Sequence, residues 1–205
     1  MAIRDRNIDK ARLSSTALRA DQQYIISKPS ASATFVVNAA SVASGAVASA
    51  TIARAVLDYP RNLIYTLVDN ASDTLSAVFV VTGTDQFNQT VSETVTVDYD
   101  ASATTNGTQV FKTITNVSIT PTNQAASDTA SVGVAIAADV ASFGLPDKIA
   151  AVTDVKNVNW IDAGTSKAQN IDATSVSVTK SSFQPEQTVD AGDDYVVTYK
   201  STFEY

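Results

Sequence analysis

The chain has 205 residues, 14 basic against 21 acidic, a net charge of −7, and neither cysteine nor histidine. Without cysteine there is no disulfide framework and no thiolate metal site. Without histidine the commonest general base and every Ser-His or Cys-His pair are lost, and the acidic balance runs against the basic footprint of a nucleic-acid-binding domain. Ser, Thr, Ala and Val dominate while the strong helix formers are thin, a vocabulary of strands. We therefore expect an all-β protein: antiparallel sheets in a sandwich or jelly-roll-like arrangement, with an extended N-terminal arm.

In chain order, residues 1–28 form the arm. Arg4, Arg6, Lys10, Arg12, Arg19 and Lys28 against three aspartates leave it at +3, so residues 29–205 carry −10. Its apolar residues Ile3, Ile8, Leu13 and Leu18 fall five apart, matching neither a helix nor a strand stripe. The sequence MAIRDRNIDKARL lacks the apolar core of a secretory signal, and no apolar run is long enough to span a membrane. Residues 29–146 are expected to form the main β domain. Phe35-Val36-Val37 reads as a short strand, followed by an Ala/Ser-rich stretch over 39–50, and Pro60 disfavours helix at Tyr59.

Residues 61–99 hold the longest strand signal. Leu63, Tyr65 and Leu67 alternate with Ile64, Thr66 and Val68. Asp69-Asn70 supplies turn chemistry. Residues 77–81 (AVFVV) form a β-branched apolar run. Gly83 to Gln89 reads as a connection, and Val91, Glu93, Val95 and Val97 alternate with hydroxyl residues. Three strands with short connections predict a meander. Asn106-Gly107 marks a turn in the polar loop 101–108, residues 110–120 read as one or two strands, and 130–136 as a half-buried strand. Phe143-Gly144-Leu145-Pro146 reads as a turn at a domain seam. Residues 147–205 then complete the domain or form a small second lobe, with strands expected at 152–160, at 171–180 and at the end. There Tyr195, Val197, Tyr199, Phe203 and Tyr205 share one face, an aromatic stripe suited to a sheet core or a subunit interface.

The order RN-L-I-Y-T-L-V-D, V-V-T-G-T-D-Q-F-N and V-S-E-T-V-T-V, followed by Phe111-Lys112-Thr113-Ile114-Thr115-Asn116-Val117, resembles a module of tailed-phage virion proteins, among them capsid cement (decoration) proteins and tail or neck proteins. The resemblance covers about residues 61–120. The chain departs from the pattern at Asn88, where such loops often carry Gly; Asn also tolerates positive φ. The resemblance implies a structural virion protein on the head surface, made in the host cytoplasm, that bridges and stabilises major capsid subunits, with the major capsid protein as partner and a homotrimer as the favoured assembly. It implies no enzymatic activity, no catalytic residue, no cofactor or metal, and neither nucleic acid nor membrane as a partner. The interface residues singled out are Arg4, Arg6, Lys10, Arg12 and Arg19 of the arm and Tyr199, Phe203 and Tyr205 of the last strand. A tail, neck or fibre protein, or a glycan-binding adhesin module, is the alternative.

The remaining acidic residues are weighed as chemistry and as turns. Asp69, Asp73, Asp85, Asp98 and Asp100 sit where turn aspartates bond their own backbone. Asp98 with Asp100, or Asp190 with Asp193 and Asp194, could gather oxygens for Ca²⁺, but no twelve-residue loop pattern accompanies them.

Overall fold

The computed structural model describes residues 21–42, 46, 47, 49–70, 75–100, 103–123, 127–138, 140–162, 165–169, 171 and 175–202. The chain is all-β, and every strand pairing is antiparallel. The strands are β1 (Asp21–Ser27), β2 (Val37–Ser41), β3 (Val56–Arg61), β4 (Leu63–Val68), β5 (Ser76–Thr84), β6 (Thr90–Asp98), β7 (Thr104–Asn106) and β8 (Phe111–Thr122). There follow β9 (Thr129–Val134), β10 (Phe143–Gly144), β11 (Val155–Asp162), β12 (Thr165–Ala168), β13 (Val176–Ser177), β14 (Ser182–Phe183) and β15 (Asp194–Lys200).

They assemble into three sheets. The largest has the order β13-β14-β10-β3-β8-β5-β6, the second β2-β9-β4-β7, and the third β1-β15-β11-β12. The first two face each other across one core, where Leu63, Tyr65 and Leu67 of β4 and Val132 of β9 meet Phe79 of β5 and Phe111 and Ile119 of β8. The Tyr65 and Phe79 rings lie 5.3 Å apart. Burying side chains such as Leu63 and Phe79 completely stabilises the sandwich by roughly 1.5–3 kcal/mol each. The third sheet covers a second core. Ile26, Val158, Tyr195, Val197 and Tyr199 pack on Phe143, Leu145, Val176 and Phe183. The large sheet thus serves both cores, one at each end.

This topology corrects the expected meander. The strands at 63–68, 76–84 and 90–98 are present, but only β5 and β6 form a hairpin. β4 lies in the facing sheet, between β7 and β9, and β5 takes β8 as its other neighbour. Alternation in β4 fixes which residues turn inward and says nothing about which strand pairs with it. Gly83 belongs to β5 rather than to a connection, at a shift in the β5–β8 register. A Cβ there would fall 1.9 Å from the Thr113 carbonyl oxygen, so the backbones meet at this bulge in a way only glycine allows. The tight turn follows at 85–88: Asp85 accepts the Phe87 and Gln89 N–H groups, both at 2.8 Å, and Asn88 has φ of 60°.

Four further readings change. Residues 129–134 are buried on both faces of β9 apart from the half-buried Thr129, because β9 is a central strand between β2 and β4. Phe143-Gly144 is a buried strand, β10, paired with both β3 and β14, not a turn. In the polar loop expected at 101–108, residues 104–106 pair with β4 as β7. Residues 21–27 of the expected arm form β1, paired along its whole length with β15.

Candidate functional site

Arg4, Arg6, Lys10, Arg12, Arg19, Phe203 and Tyr205 lie outside the described residues. Tyr199 is inside them, and the second core encloses it at 1% exposure. Its hydroxyl donates to Asp147 Oδ2 at 2.7 Å, and burial together with that carboxylate pushes its pKa up. Tyr199 therefore presents no side chain to a partner. The reason is topological: β15 is an inner strand between β1 and β11, and its aromatic face turns to Phe143, with Tyr195 and Phe143 rings 5.8 Å apart.

What the third sheet does expose is its edge. Among the described residues β1 is an outer strand, so one row of its backbone N–H and C=O groups has no described neighbour within the sheet. Its outward side carries Ile25, 56% exposed, which pairs with Val196. The end of β1 is held firmly. The Tyr59 hydroxyl donates to Ser27 O and accepts from Ser27 N–H, both at 2.9 Å. Ser27 Oγ donates to Asp194 Oδ1 at 2.6 Å, and Lys28 N–H to Asp193 O at 2.8 Å. The basic segment 1–20 is therefore joined to the body at Asp21, the start of an anchored edge strand.

The body that carries this edge is organised at Arg61-Asn62, where the chain leaves β3 in the large sheet and enters β4 in the facing one. The guanidinium of Arg61 is wholly buried. It donates to Ser30 O at 2.8 Å and to Ala135 O at 2.6 Å. Burial lowers its pKa to about 10, with Asp58, 3.9 Å away, opposing the shift. Asn62 uses all of its carboxamide except one lone pair: Nδ2 donates to Gly107 O at 2.7 Å and Val140 O at 2.9 Å, and Oδ1 accepts Ser142 N–H at 2.7 Å. A sheet-switching corner would strand backbone polar groups inside the protein, and these two side chains satisfy them.

A second bridge closes the sandwich at its outer edge. Glu93 of the edge strand β6 accepts the Tyr65 hydroxyl at 3.0 Å on Oε2, and the Thr108 and Gln109 N–H groups at 2.6 and 3.0 Å on Oε1. Burial and the adjoining carboxylate hold the Tyr65 pKa well above its ordinary value. Nothing in the sequence marks Arg61, Asn62 or Glu93 as a bridge between strands distant along the chain.

Two of the aspartates considered for Ca²⁺ accept backbone N–H groups. Asp98 Oδ1 accepts Asp100 N–H at 3.2 Å, and Asp193 Oδ2 accepts Asp190 N–H at 2.9 Å. Among the described residues no three His, Cys, Asp or Glu side chains are grouped to hold a metal ion, and no helix is long and apolar enough to cross a membrane.

Comparison with known proteins adds no relative: no family model, no curated protein and no solved structure matches this chain.

Proposed function

We infer that this chain is a structural protein that works by adhesion: a virion component of a tailed phage, acting as a cement or decoration protein that bridges major capsid subunits on the head surface. The virion and the major capsid partner come from the resemblance over residues 61–120. The observation that carries the adhesive reading is the anchored edge strand β1. A net basic segment is attached there to a body of opposite net charge. A force on residues 1–20 is transmitted through the β1–β15 pairing, which spans Asp21 to Ser27, into the second core rather than into a loop. Such a segment would dock on an acidic surface of the capsid or of a neighbouring copy, and a homotrimer would repeat the contact three times, multiplying weak attachments. The body then acts as a rigid platform and performs no chemistry of its own.

The test is co-sedimentation with purified phage heads, comparing the full chain with one beginning at Asp21. The full chain should pellet with heads and the shortened one should remain in the supernatant. Equal binding by both would overturn the role given to the basic segment.

A further inference from the structure

Between the two cores lies a pocket of about 270 Å³ with both polar and apolar walls, with Asn62 and Ser142 among its lining residues. One wall is Asn106 to Thr108, after β7. The opposite wall comes from the β13–β14 hairpin, with Ser177, Lys180 and Gln184. Its volume falls just below the roughly 300 Å³ at which pockets for drug-sized ligands begin, and such pockets favour the seams between structural units.

The pocket is built rather than accidental. Asn62 is fixed by three hydrogen bonds, and Ser142 Oγ donates to Ser182 Oγ at 3.0 Å. Lys180 is held at both ends: Gln86 Nε2 donates to its carbonyl at 2.6 Å, and its ammonium donates across the pocket to Thr108 O. That bond uses one of three N–H donors. Among the described residues Lys180 is the sole charged residue on the lining, and none of the lining side chains is a carboxylate. The nearby Glu93 accepts from the N–H groups of residues 108 and 109 and from the Thr108 hydroxyl at 3.3 Å, and its charge is spread over those donors and Tyr65. Beside Gly107 and the apolar Val140, the rest of the described lining offers hydroxyls and carboxamides. Asn106 Oδ1 is buried with no hydrogen-bond partner, an unmet acceptor of the kind that marks an unfinished polar network.

The geometry points to a binding site for a small sugar acid. Its carboxylate would pair with the remaining N–H groups of Lys180, a charge-assisted contact stronger than a neutral one. Its ring hydroxyls would exchange hydrogen bonds with Ser177, Thr108 and Gln184. Among the described residues no aromatic side chain lines the pocket to stack on the ring, and hydrogen bonds set the affinity, on the order of 1 mM. The site stands apart from the adhesive role of residues 1–20 and would serve equally in a tail or fibre protein.

The full chain is titrated with sodium glucuronate, with glucose as the ring lacking the carboxylate and acetate as the carboxylate lacking the ring. Backbone amide spectra report the binding. Glucuronate should shift the amides of residues 106–108 and 177–184 saturably, and glucose and acetate should bind at least about tenfold more weakly. Lys180→Met should weaken glucuronate by roughly tenfold or more, and Gln184→Ala, which leaves the Lys180–Thr108 bond in place, should also weaken it. No saturable shift with glucuronate would overturn the site. Equal response to glucose would remove the role of Lys180, and equal response to acetate would mean an adventitious anion only. Glucuronate affinity unchanged in both variants would place any binding elsewhere.

Discussion

The guanidinium carbon of Arg61 lies 4.6 Å from the centre of the Phe143 ring. This contact joins the corner at which the chain changes sheets to the aromatic centre of the second core, where Phe143 also stacks on Phe183 at 5.8 Å. One buried cation thus caps carbonyls at Ser30 and Ala135 and covers a ring from the second core.

Replacing Arg61 should be costly because the guanidinium is wholly buried and its Ala135 partner is too. Arg61→Met leaves the buried Ala135 carbonyl and the partly buried Ser30 carbonyl without this donor and should destabilise the fold by about 3 kcal/mol. Arg61→Lys keeps the charge but cannot present two donors in a planar fork, and should recover only part of that loss. Urea unfolding of the three proteins, followed by tryptophan fluorescence from Trp160, measures both.

The Glu93 bridge predicts a graded series. Tyr65→Phe removes one hydroxyl from a carboxylate that keeps its backbone donors, and should cost about 1 kcal/mol. Gly107→Ala should cost more, roughly 1–3 kcal/mol, since its Cβ would fall 2.2 Å from Glu93 Oε2 and 3.0 Å from the Tyr65 ring. The same unfolding measurement ranks them, and the account expects Gly107→Ala to be the worse of the two.

Alkali should unfold this protein. Tyr24 is pushed up to about 12 by burial, then by Tyr59 and Asp58, and the pKa values of Tyr65, Tyr195 and Tyr199 are raised as well, in each case chiefly by burial. A tyrosine with a raised folded pKa contributes stability that is complete below its ordinary value of 10.0 and is lost as pH rises through the folded value. Arg61 has the opposite sign: its pKa is lowered from 12.5 to about 10, so its burial penalty is relieved over that range. Four tyrosines against one arginine give a net loss. Stability should fall steeply between pH 10 and 12, with tyrosinate absorbance rising together with loss of the β signal in circular dichroism. Tyrosinate in excess of the other three of the seven tyrosines, appearing while that signal persists, would contradict the burial of these four rings.

Truncation should be tolerated up to Ala20 and no further. A chain beginning at Asp21 keeps every β1–β15 pair. One beginning at Pro29 loses the strand and with it Ile26, which is completely buried, leaving β15 as an open edge. The first should unfold as cooperatively as the full chain; the second should lose several kcal/mol or aggregate. Calorimetry of the two shortened chains distinguishes them.

The sequence showed where strands lie more readily than how they pair. Period-two alternation marked residues 63–68 and 91–97, a β-branched apolar run marked 77–81, and turn chemistry marked Asp85 and Asn88, because these signals are local. It could not show that β4 crosses to the facing sheet, since the crossing occurs at Asn62 with neither Gly nor Pro at that position, and the residues that repair it are remote: Arg61 reaches Ser30 and Ala135, 31 and 74 residues away. The aromatic face of the last strand was visible as a stripe. Whether that stripe meets solvent or core depended on β1 and β11 flanking it, and β1 lay inside a segment that charge and irregular spacing marked as an arm. The pocket at the seam was illegible for a similar reason: Thr108 and Lys180 are 72 residues apart, and neither belongs to a recognisable motif.

The adhesive role is tested most directly by locating the chain on purified virions. Heads and tails are separated and their proteins quantified by mass spectrometry. The account predicts this chain in the head fraction, at a fixed ratio to the major capsid protein, and its release from heads when residues 1–20 are deleted. Absence of the chain from every particle fraction would contradict it.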